Sequence, residues 1–180
     1  MSTTTTTTSS SVDDLVSGLA GLSLSPLSTF FARFPGFTYN TSANAASEYR
    51  RLCNRQKQAG KPAVRRQFSL AFEEEFNSRF GGSVQDWDWQ RLCEILEVKN
   101  VPMSKTQAKK VLQRIHVNLY DLEHYDRRLV LGQPIELKIF PTVQALSNYS
   151  TNHLKVFLKP KKGKGALRWI LRELFSSRGY

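Results

Sequence analysis

The chain is poor in the residues that most often carry chemistry. It has two cysteines, Cys53 and Cys93, and three histidines, His116, His124 and His153, in 180 residues. None of these has the paired spacing of a structural zinc site, and a Cys93 with His116 pair is already accounted for by packing positions. Asp121 and His124 share a helix face but lack further ligands, so no metal is expected. No apolar run approaches the roughly 18 residues of a membrane span, and no basic and apolar leader opens the chain. Both cysteines fall on apolar helix faces, which reads as structural free thiols in a reduced, intracellular setting. The glycines at 60, 81, 82, 163 and 165 match no phosphate-loop or dinucleotide spacing. Carboxylates are few, 15 against 26 lysines and arginines. We therefore expect no enzyme, no catalytic residue and no cofactor.

That imbalance gives a net charge of +11 and a pI near 9.9. A chain this basic favours polyanionic partners, because each neutralised phosphate releases condensed counterions. The charge bears on association rather than on fold.

Helical periodicity organises the sequence around residues 86–125. Trp89, Leu92, Cys93 and Leu96 share one helix face, with Asp86 and Asp88 at the helix start. Val101-Pro102 stops propagation, and Ser104 with Gln107 forms a capping box for a helix carrying Ala108, Val111, Leu112 and Ile115 inward. Asn118 reads as a further N-cap, followed by Leu119, Leu122 and Tyr125.

Upstream, residues 2–11 are Ser and Thr alone, too polar to offset the entropy of ordering. Residues 1–25 are thus a disordered tail, with Val12 to Leu24 a candidate docking helix. Residues 26–180 form the helical domain, beginning with five aromatics between Phe30 and Tyr39, an irregular strap or short helix across the core. A helix capped by Ser42 or Asn44 runs to about Gln58, and Arg65-Arg66 lead into one where Phe68, Phe72, Phe76 and Phe80 recur every fourth position. Glu73, Glu74 and Glu75 read as its solvated side, and Gly81-Gly82 ends it. Ile135 to Ile139 alternates as a short strand or extended connector, residues 142–150 suit a short helix, and residues 166–175 suit a last one. The fold expected is all-α, one compact domain of six or seven helices.

Basic residues cluster three times. Glu48 to Arg66 holds seven cations against one carboxylate, a local +6; Lys105, Lys109, Lys110 and Arg114 follow; Lys155 to Tyr180 holds eight against Glu173, a local +7. The leading expectation is a non-enzymatic nucleic-acid-associated module, with Arg50, Arg51, Arg55, Lys109, Lys110, Lys161, Lys162, Lys164, Arg168 and Arg172 on the phosphate backbone of DNA or RNA. The alternative is a protein-interaction adaptor, engaging a partner through residues 12–24 or the aromatic segment 30–39. In that case the run Lys159 to Lys164 serves as a nuclear localisation segment.

Blocks along the chain carry a resemblance: Phe30 to Tyr39, Ser47 to Leu52, Phe76 to Gly81, Trp89 to Cys93, Ser104 to Lys110 and Val117 to Leu122. In this order they resemble a multicopy family of small basic proteins of filamentous and other higher fungi, over about Pro26 to Phe175. The threonine-rich head is not part of that pattern, and the region around Gly132 is shorter. The resemblance implies a fungal, intracellular origin and carries over no catalytic or binding residue.

Overall fold

The computed structural model describes residues 25–81 and 88–157. Among them the protein is mainly helical, as the periodicity predicts, with seven α-helices, one 3₁₀ turn and a two-stranded ribbon. The docking helix at 12–24, the lysine loop and the helix at 166–175 lie outside the described residues.

Helix α1, Pro26–Ala32, opens with Ser25 as N-cap and proline in its first turn. It carries the first two rings of the expected strap, which continues to Tyr39. Phe30 and Phe31 are fully buried and Phe37 nearly so, while Phe34 and Tyr39 are half-buried. Tyr39 stacks on Phe31 at 4.3 Å between ring centres. The segment expected as a partner surface is therefore core, because its rings already have aromatic neighbours. Gly36 turns the chain at φ 74, a conformation costly for any residue with a Cβ.

Asn44 caps α2, Ala45–Arg55, by accepting from the Ala46 amide. This helix ends at Arg55, three residues before the expected end, and a 3₁₀ turn, Lys57–Gly60, leads directly to α3, Pro62–Phe80. Proline at the first position starts α3 earlier than Arg65 would, since its missing amide is one of the unsatisfied donors there anyway. Phe68, Phe72, Phe76 and Phe80 are 0–2 % exposed and form the axis of the core. Gly81 ends the helix at φ 103.

Two short helices follow, α4, Trp89–Ile95, capped by Asp88, and α5, Lys105–Leu112, where Ser104 accepts from the Gln107 amide. Strand β1, His116–Val117, leads through the Asn118 cap into α6, Leu119–Val130, longer than the spacing of Leu119, Leu122 and Tyr125 alone indicates. Strand β2, Ile139–Phe140, pairs antiparallel with β1, so the alternating segment runs as an extended connector and joins the ribbon only at its end. Thr142 caps α7, Val143–Asn152. Asn118 also donates from its amide to Ser150 Oγ and the Lys155 carbonyl, which fastens residues 153–157 beside α6. Phe157 is thereby buried 5.5 Å from Phe72. Both cysteines are free, and Cys93 is fully buried. No helix among the described residues is long and apolar enough to cross a membrane.

Candidate phosphate-binding face and the adjoining cavity

Arginines divide into two sets in this fold. The inner set holds α1, α3, α4 and α6 together through carboxylates that local sequence gives no reason to bury. Glu73 and Glu75 are each 5 % exposed, which corrects the reading of these two as solvated, while Glu74 between them is exposed as expected. Glu75 accepts from the Leu27 amide at the start of α1 and pairs with Arg79 at 3.5 Å. Asp126 is fully buried and receives Arg91 at 2.6 Å and Arg79 at 3.2 Å. Arg127 donates to Tyr39 Oη, to the Thr41 and Ala43 carbonyls and to Glu123 Oε2, while its Nε stands 3.1 Å from Glu123 Oε1. Burial pushes the Glu123 carboxyl up to about 7, against the opposing pull of Arg127 and Arg79. Burial likewise raises the Tyr39 hydroxyl to about 12.

Arg51, expected on a phosphate, already has partners within α2 and the segment before it, while its side chain is 40 % exposed. Its guanidinium makes two bonds to Glu48, at 2.9 and 2.5 Å, bonds the Thr38 carbonyl and stands 4.2 Å above the Phe37 ring. Burial disfavours the Glu48 charge, yet the bonds from Arg51 and the Asn40 amide hold its carboxyl below the usual range.

The outer set lies along α2, the 3₁₀ turn and the start of α3. Arg50, Arg55, Lys57, Lys61, Arg65 and Arg66 are all exposed, and none has an ion pair among the described residues. No Asp or Glu occurs from Tyr49 to Phe72. The turn that presents them is fixed from beneath, where Tyr49 donates to the Ala59 carbonyl at 2.8 Å and Gln56 donates to the Pro35 carbonyl at 2.9 Å. Arg55 reaches the Gly36 carbonyl at 3.4 Å. Helix α3 starts without a side-chain cap and without an acidic residue in its first turn. Its positive end is left to Lys61 and Arg65, an arrangement that a bound anion would stabilise.

Of the other residues expected on phosphate, Lys110 is exposed on α5, which packs chiefly against α4. Lys109 lies on the same helix. Lys161, Lys162, Lys164, Arg168 and Arg172 lie outside the described residues. Arg50 and Arg65 line one cavity, and Arg55, Lys57, Lys61 and Arg66 are exposed along the same elements; Lys57, Lys61, Arg65 and Arg66 are four cations that sequence reasoning did not place on phosphate. Their signal was the carboxylate-free stretch itself.

A cavity of about 330 Å³ opens beside this face. Its lining includes Tyr49, Phe68 and Tyr120, three nearly parallel rings from α2, α3 and α6, with Tyr49 and Phe68 at 4.3 Å and 5°. Arg50 and Arg65 line it too, as do Leu154 and Val156. Leu154 is 67 % exposed and holds φ 54 just past α7, where glycine or asparagine is usual and another residue costs about 1 kcal/mol. Burial raises the Cys53 thiol, so this lining sulfur stays protonated. No group of three or more His, Cys, Asp or Glu among the described residues is placed to hold a metal ion. No family model matches the chain, and no curated protein or solved structure matches it either.

Proposed function

We propose that the protein is a non-enzymatic module that binds the phosphate backbone of nucleic acid. The observation that carries this reading is the outer set: six exposed cations on contiguous elements with no carboxylate among them. The paired arginines make this more telling, because Arg51, Arg79, Arg91 and Arg127 are matched to carboxylates while these six are not. Like charges on neighbouring elements repel one another, and a polyanion relieves that cost. The lysine-rich run from Lys159 to Lys164 adds a second basic segment to the same chain, as a further backbone contact or a nuclear address.

A fluorescence-anisotropy titration with DNA and RNA at about 50 and 200 mM salt tests the proposal. The affinity is expected to fall steeply with salt and to weaken when Lys161, Lys162 and Lys164 are changed to alanine. Binding unchanged by salt would sink the phosphate reading. An adaptor is the second reading, favoured by one observation: Leu129, Val130 and Leu131 are 42, 64 and 58 % exposed in a row at the end of α6.

A further inference from the structure

We propose that the cavity between α2, α3 and residues 154–156 is a nucleotide site, taking one aromatic base against the Tyr49, Phe68 and Tyr120 rings and its phosphate on Arg50 and Arg65. The inference rests on the phosphate-backbone reading and adds the unit recognised, an unpaired nucleotide rather than a duplex. That nucleotide comes either free or as part of a single strand.

Size, lining and charge converge on this ligand. The volume of about 330 Å³ suits a base with its sugar and lies within the range of small-molecule sites. Aromatic rings and the aliphatic side chains of Leu154 and Val156 suit a flat, weakly polar ring system, whose edges and faces pack well on such surfaces. Among the described residues no carboxylate lines the cavity, and the two charged ones that do are both arginines, whose planar guanidinium matches phosphate oxygens.

Tyr120 is 3 % exposed and lines the cavity, and its backbone amide and carbonyl are hydrogen-bonded. The Tyr49 hydroxyl is taken by the Ala59 carbonyl. A base edge carries both donors and acceptors and can bond the Tyr120 hydroxyl in either sense. Bases within a duplex are stacked and paired, so they cannot enter; an unpaired base can.

The test uses the full chain, a labelled ten-nucleotide single strand, a duplex of the same length and free AMP as competitor, at about 50 mM salt. Two variants probe the cavity. Tyr120→Phe removes one hydroxyl and keeps the ring. Gly60→Leu adds a side chain at a lining residue where an added Cβ meets nothing within 4 Å. We expect the single strand to bind about fivefold or more tighter than the duplex, and both variants to reduce that preference while duplex affinity holds. Competition by AMP would assign the site to a free nucleotide, and its failure to compete would assign it to a strand-borne one. Equal affinity for single strand and duplex, unmoved by either variant, would overturn the nucleotide site and leave the phosphate reading standing. No binding of any polymer or of AMP would overturn both. Should Gly60→Leu fail to fold, Tyr120→Phe decides the outcome alone.

Discussion

Changing Arg127 to methionine removes a buried cation while keeping most of the side-chain volume, and its cost can be reasoned out from the neighbours. Arg127 is 9 % exposed and serves four partners: Tyr39 Oη, the Thr41 carbonyl, the Ala43 carbonyl and Glu123. With it gone, the fully buried Glu123 keeps only Arg79 at 3.6 Å, and the chain before α2 loses its anchor to α6. Breaking a buried ion pair from one side costs about 3–5 kcal/mol, because Glu123 must stay charged without its partner or take up a proton, and the Thr41 and Ala43 carbonyls lose their donor. A domain of this size has about 5–15 kcal/mol in all, so the variant should fold but melt roughly 6–20 °C lower. Urea denaturation followed by tryptophan fluorescence reads the loss directly. Arg50→Met, on the exposed face, is the control and should stay within about 0.5 kcal/mol of the parent. Adding Glu123→Gln to Arg127→Met should restore part of the stability, since it removes the carboxyl left without its partner. A loss below about 1 kcal/mol for Arg127→Met would refute the division into inner and outer arginines.

Other consequences concern pH and packing. Because Glu123 titrates near 7 when folded and near 4.5 when unfolded, its contribution to stability falls as pH rises from 4.5 to 7, by up to about 1.4 kcal/mol per pH unit. The stability difference between the parent and Glu123→Gln should therefore change across that window in chemical denaturation; a constant difference would contradict the burial argument. Glu48 acts in the opposite sense, since its folded carboxyl is held low and its stabilisation disappears as pH falls through the acid range. Phe72→Ala, at a fully buried ring touching Phe76, Tyr120 and Phe157, should cost about 3–5 kcal/mol by thermal or urea unfolding. Asn118→Ala loses both the α6 cap and the bonds to Ser150 and Lys155, so amide exchange should speed up in residues 153–157 more than in α3.

Much of the helical frame was legible because its signals are local. Asn44, Asp88, Ser104 and Asn118 each cap within three residues of the amide they bond, and the phenylalanines of α3 repeat at the helical spacing. What could not be read is long-range. Glu75 meets Leu27 across 48 residues, and Asp126 meets Arg91 across 35, so nothing in the local pattern marks these carboxylates as interior. The partners of Arg51 were hidden for a related reason, since the Thr38 carbonyl and the Phe37 ring beside it belong to the aromatic segment. The candidate cavity was equally hidden, because Tyr49, Phe68 and Tyr120 come from three helices and become a single lining only after folding.

The most direct test of the outer arginines as a phosphate-binding face is the salt dependence of binding for the parent and for a variant with Arg50, Arg55, Arg65 and Arg66 changed to glutamine. For the parent, log affinity should fall linearly with log salt. In the variant the slope should be shallower by roughly 0.7–0.9 for each phosphate no longer neutralised, about 3 in all, while the melting temperature is little changed. An identical slope in the two proteins, with binding intact, would contradict the account.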